Sequence, residues 1–167
     1  MSKAFTSEET PEAELVARPP PRLAPGEVRY VTPEGQAALR AALTHVHDEL
    51  SELGRLPPAA LEARRAELER RAGFLQATLA ALTVLGPDVA PEGQVAFGRW
   101  VTVEDEDGER ATWRIVGPDE ADAKRRLVSV ASPLARALLG RRAGETATVH
   151  RPRGEVELTV VEVRTRP

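Results

Sequence analysis

The sequence predicts an α+β protein in which an antiparallel helical hairpin precedes a strand-rich domain with one short helix. Three observations carry that prediction. Apolar residues repeat at helical spacing on both sides of a Pro57-Pro58 bend. The period changes to two after "GPDVAPEG", residues 86–93, a stretch that breaks helix. Asp107-Gly108 and Arg153-Gly154 each sit between apolar, strand-like runs, where a β-hairpin needs its turn.

Residues 1–30 come first and have few apolar side chains. They hold five of the fourteen prolines, four of them within "ARPPPRLAPGE". Proline disfavours helix interiors and favours extended, solvated backbone, so this segment reads as a disordered proline-rich tail, a tether.

The hairpin occupies residues 31–86. Thr32 reads as an N-cap, Pro33 suits the first helical position, and Glu34 complements the first turn. Leu39, Leu43, Val46, Leu50 and Leu53 then follow at alternating spacings of four and three. Beyond the bend, Leu61, Leu68, Leu75 and Leu82 recur every seven residues, with Ala72 and Leu79 between them. The two seams match in antiparallel order: Leu53 faces Leu61, Val46 faces Leu68, Leu43 faces Ala72 and Leu39 faces Leu75. Leu50 alone faces a polar residue, Arg65, which predicts a loosened end near a tip at 54–59. The first arm, 33–53, spans about 31 Å at the usual helical rise.

A linker at 87–93 leads to the second domain, 94–167. "WVTVE" and "ATWRIVG" form one strand pair, "RLVSVAS" another strand, and "ETATVHRP" with "EVELTVVEV" a terminal hairpin. "DEADAKRR" reads as a loop or single helical turn. Within "SPLARALLG", Ser132 caps a short helix, Pro133 opens it and Gly140 stops it.

Composition narrows the function. There is no cysteine, which removes disulfides, thiolate metal sites and a cysteine nucleophile. The 26 acids outnumber the 23 cations, and the tail, hairpin and remaining region each sum to −1, so no segment is a basic nucleic-acid tail. No membrane-length apolar run or signal-peptide core is present, and a cytoplasmic protein is expected. His45 and His47 lie on different faces of a helix without a third ligand, and His150 has no catalytic company.

In this order, the elements resemble the bacterial Gre transcript cleavage factors, GreA and GreB. The likeness covers residues 31–167 and is strongest from 94 onward. It is carried by Phe97-Gly98, Ile115-Val116-Gly117, Ser132-Pro133 through Leu138-Leu139-Gly140, Gly144 with Glu145 after it, and Pro152 with Gly154. The resemblance implies an FKBP-like fold for 94–167. It also implies RNA polymerase as partner, docked at the largest-subunit rim of the secondary channel, with Ser132 and Pro133 as the polymerase-binding positions. In the family, acidic side chains on the coiled-coil tip help hold a catalytic Mg²⁺ while the polymerase hydrolyses backtracked RNA. The family often has an acid just before the serine, where this chain has Ala131.

The tip departs from that pattern. "LGRLPPAAL" has no acid between Glu52 and Glu62, and its one charge is Arg55. Mg²⁺ takes oxygen ligands at about 2.0–2.1 Å, so a displaced carboxylate cannot substitute. The expectation is therefore a monomeric factor, not an enzyme, that modulates elongation without strong cleavage. It needs no cofactor, metal or catalytic residue, and contact with nascent RNA is indirect. Glu52, Arg55 and Glu62 are the candidate channel-facing tip residues, with solvated helix-end charges as the plainer reading of the two glutamates. Three alternatives compete: GreB-like cleavage, a regulator resembling the short-hairpin nucleoside diphosphate kinase regulators, and a prolyl isomerase. The last has only Phe97, Trp100 and Trp113 from which to build an aromatic pocket.

Overall fold

The computed structural model describes residues 28–55, 58–151 and 154–166. Nearly all of the proline-rich tail, Leu56-Pro57 of the bend and Pro152-Arg153 of the last turn lie outside the described residues. The chain forms two compact units. One comprises 28–29 with Pro33–Thr83, and the other Tyr30–Thr32 with Val84 onward.

In the helical unit, α1 (Pro33–Glu52) and α2 (Pro58–Ala81) pack along the leucine seam. Val46, Leu53, Leu68, Ala72 and Leu75 are buried between them, with Leu39, Leu43, Leu50 and Leu61 packed against that row. Leu50 thus joins the seam although Arg65 is its facing residue, and the end near the bend is closed by Leu53. The other end differs from the heptad expectation. Helix α2 stops at Ala81, and Leu82 belongs to a short strand, β2 (Leu82–Val84). Thr83 and Val84 are β-branched, and Gly86-Pro87 ends any helical continuation. Strand β2 forms a two-stranded sheet with β1 (Arg29–Val31), so Arg29 and Tyr30 are strand rather than tail.

The second unit contains β3 (Trp100–Asp105), β4 (Arg110–Val116), β5 (Leu127–Ser129), α3 (Pro133–Leu138), β6 (Thr146–Arg151) and β7 (Gly154–Arg164). The strands make one mixed sheet in the order β5-β4-β3-β7-β6. Strands β3 and β4 are antiparallel across the Asp107-Gly108 turn, where Asp105 Oδ1 accepts from Asp107 N and Glu109 N. Strand β7 pairs with β3 through a bulge at Thr102/Val103, and β5 runs parallel to β4. The "DEADAKRR" stretch is a turn, closed by a bridge between Asp122 and Leu127 and by Asp122 Oδ1 accepting from Lys124 N. Alternate side chains of β3, β4, β6 and β7 point inward. Val101, Val103, Ile115, Val149, Leu158 and Val160 meet Ala135 and Leu138 of α3 in the core.

Two polar devices fix the segments that lead into and out of the hairpin. Glu120 accepts from Thr32 N (2.9 Å), from the Thr32 hydroxyl and from Gly117 N (3.1 Å). Gly117 is required there, because a Cβ would lie 2.1 Å from the Tyr30 carbonyl oxygen. Arg99 is 3 % exposed. Its guanidinium donates to the carbonyls of Pro87 (2.8 Å), Ala90 (2.5 Å), Pro91 (2.6 Å) and Gln94 (3.0 Å). Prolines 87 and 91 lack an N–H and keep this segment out of a regular ladder, and the arginine supplies donors to its carbonyls.

Two stability effects are expected. Leu68→Ala removes a fully buried seam side chain and should cost about 2–5 kcal/mol, read as loss of helical circular dichroism at lower denaturant. Arg99→Met removes the side-chain donors to four carbonyls, of which Pro91 O keeps Gln94 N, and should lower the stability of the second unit by about 3 kcal/mol. Both tryptophans, Trp100 and Trp113, lie in that unit, so their fluorescence follows its unfolding.

Candidate functional site

The sequence singles out two places, one in each unit. In the sheet unit, Ser132 and Pro133 open α3 as expected. Ser132 has extended backbone (φ −67°, ψ 153°), and its hydroxyl oxygen accepts from Ala135 N at 3.1 Å. Pro133 follows at the first helical position, where its missing N–H costs nothing, and its ring is exposed. The next residues divide by face. Ala135 and Leu138 are buried, Leu134, Ala137 and Leu139 pack at the core margin, and Arg136 is exposed. The helix stops at Gly140 (φ +83°), whose N–H donates to Val95 O (2.8 Å). Val95 N in turn donates to Arg141 O (2.7 Å), and Gln94 Nε2 donates to Gly140 O (2.9 Å). The helix is therefore capped at its start and tied to the Arg99-held segment at its end. Its exposed residues are presented on fixed backbone.

Ser132 does two things at once. It stands on the exposed turn and it caps the helix, so replacing it with alanine mixes surface chemistry with a cap loss of about 1 kcal/mol.

In the helical unit the tip carries little acid. Helix α1 ends at Glu52, a 3-10 turn covers Leu53–Arg55, and α2 begins at Pro58. Glu52 and Glu62 are both exposed. Arg55 lies in the turn, but its side chain is outside the described residues. A shallow recess of about 220 Å³ near the bend is lined by Glu49, Glu52, Leu53 and Arg64. Arg64 bridges the arms there: its Nη2 lies 2.5 Å from Glu49 Oε2 and its Nη1 2.9 Å from Glu67 Oε2. Hydrogen bonds to Glu67 and then to Glu49 hold the guanidinium above its ordinary pKa. Arg64 with Glu49 is a pair across the two arms. His45 Nε2 is 3.4 Å from Glu49 Oε1, an exposed contact along α1.

This arrangement does not fit a divalent cation. Among the described residues, no group of three or more His, Asp or Glu side chains is placed to hold a metal ion. The carboxylate of Glu49 already faces Arg64, so a cation brought to the recess meets a fixed positive charge. Among the described residues, no helix is long and apolar enough to cross a membrane.

The residues that sequence reasoning missed are Glu120 and Arg99. Glu120 sits in a turn, 88 positions from Thr32, and no periodic pattern points to it. For Arg99 a weak signal exists: a charged residue between Phe97-Gly98 and the strand "WVTVE", directly after a linker with two prolines.

Residues 90–165 match the family model described as "Transcription elongation factor, GreA/GreB, C-term". The chain is 37% identical over 153 residues to transcription elongation factor GreB of Yersinia pestis, spanning 83% of this chain and 90% of that protein. It is 40% identical over 163 residues to transcription elongation factor GreB of Pseudomonas aeruginosa, spanning 89% and 96%. Among solved structures, GreA factor homolog 1 (Gfh1) of Thermus thermophilus is 26% identical, covering 83% of this chain and 99% of that one, at a TM-score of 0.39. With curated relatives aligned along most of both chains, the chain belongs to the GreA/GreB family of transcription elongation factors.

Proposed function

We propose that this chain docks on RNA polymerase at the secondary channel and modulates elongation without supplying the carboxylates that stimulate transcript cleavage. Family membership supports the partner. The capped and tied α3, with Ser132 and Pro133 at its start, supports the docking face. The observation that carries the second half is the tip: between Glu52 and Glu62 there is no acid, and the nearest recess holds Arg64. Helix α1 has 20 residues, about 30 Å of reach, and it ends before the chain offers a pair of carboxylates that could touch a cation. The chain is then an occupant of the channel, not an enzyme, and it competes with cleavage-competent relatives for the same entrance.

A second reading keeps cleavage stimulation. The 37–40% identity to proteins named GreB favours it. In that reading Glu52 or Glu62 substitutes for the missing tip acids.

Binding to purified RNA polymerase tests the docking half. Wild type should be retained by immobilised polymerase. Pro133→Glu should reduce retention by about tenfold, since it puts a desolvated charge in an interface. Ser132→Asn preserves the cap, so a loss of binding by that variant reports contact rather than unfolding. Wild-type protein that is not retained contradicts the proposal.

A further inference from the structure

We infer that the polymerase-facing surface of this chain is a basic face built from the β5–α3 region, and that it fits an acidic protein surface. This rests on the docking reading of Ser132 and Pro133 and names the chemistry of the partner surface. From Ala123 to Gly144 the chain contains Lys124, Arg125, Arg126, Arg136, Arg141 and Arg142 and no acidic residue. The rest of residues 87–167 carries only seven cations against fourteen acids, so the charge separation is local and strong. All six cationic residues are exposed.

The structure brings this run together. Strand β5 is three residues long, about 10 Å, so the 124–126 turn and the start of α3 lie at its two ends. Arg126 adopts left-handed backbone (φ +59°), and its guanidinium lies 5.0 Å from the Trp113 ring centroid, which fixes its direction. Arg136 leaves the exposed side of α3. Arg142 is held by donation of its Nη1 to Glu92 O (3.3 Å), while its N–H donates to Glu145 Oε2 (2.5 Å). Neither Arg136 nor Arg141 forms an ion pair with a carboxylate among the described residues, whereas Arg64, Arg110 and Arg164 do. Arg136, one helical turn from exposed Pro133 and next to the apolar margin Leu134, Ala137 and Leu139, and Arg141 just past the helix have the composition of a protein interface with arginine anchors. A nucleic-acid partner is less well matched: no exposed aromatic side chain stands on this face for base stacking, and the chain as a whole carries −3.

Charge reversal tests the inference. Arg136→Glu with Arg141→Glu should weaken binding to RNA polymerase by about tenfold or more at about 0.1 M salt, and the gap from wild type should shrink as salt rises. Arg136→Lys with Arg141→Lys should retain most of the binding. Arg110→Glu, on the opposite face of the sheet, should match wild type. Tryptophan fluorescence unfolding verifies that each variant is folded. If wild type binds and the double reversal binds equally well at both salts, the inference is overturned while docking stands. If wild type does not bind, the docking reading fails and this one fails with it. If labelled single- or double-stranded DNA binds wild type tightly and loses affinity on the same double reversal, the face is a nucleic-acid surface and the inference is overturned.

Discussion

A buried arginine held by backbone carbonyls organises the sheet unit. Arg99 meets four backbone carbonyls of residues 87–94, and the hydrogen bonds at the exit of the candidate docking helix connect to that segment. Burying a guanidinium costs several kcal/mol unless its donors are filled, and here the polar backbone of the segment fills them. The reverse also holds, since a segment with prolines at 87 and 91 has few regular uses for its carbonyls. Once held, it places Gln94 and Val95 against the exit of α3, and Gly98 N donates to Ile115 O at the edge of β4. The presentation of α3 depends on this mutual satisfaction more than on the six-residue helix itself, which is too short to be stable alone.

Membership in the GreA/GreB family supports a polymerase partner. The hairpin seam supports an arm that projects a tip. The tip's residue types then set what the arm can do: a hard cation needs oxygen ligands in contact, and this tip offers two exposed glutamates flanking a turn, with Arg64 beside one of them. The proposed factor occupies a site whose chemistry it does not complete.

Much of this was legible in the residues. The leucine spacing located the hairpin, and Asp107-Gly108 located a strand turn. "SPLARALLG" gave cap, first residue and stop of α3 in one stretch. Those features are local, and local chemistry is what periodicity and capping rules read. Leu82 shows the limit: its heptad position agrees with helix, yet the β-branched pair after it and Gly86-Pro87 turn it into β2. The β1–β2 sheet, the parallel placement of β5 beside β4, the Glu120 contacts and the Arg99 cage were not legible. The β1–β2 sheet and the Glu120 contacts join residues far apart in sequence. The Arg99 cage lies within 12 positions, but a single side chain in irregular backbone leaves no periodic trace. The tip was legible only by residue type, because nothing in the sequence indicates that Arg64 takes Glu49 rather than another acid of the facing arm.

Occupancy of the polymerase channel without cleavage is tested by the release of short 3′ RNA fragments from stalled, backtracked elongation complexes. With saturating protein, the release rate should equal that of polymerase alone, and a cleavage-competent relative added at the same time should release fragments more slowly than it does by itself. Robust stimulation by this chain, abolished by Glu52→Gln or Glu62→Gln, would contradict it.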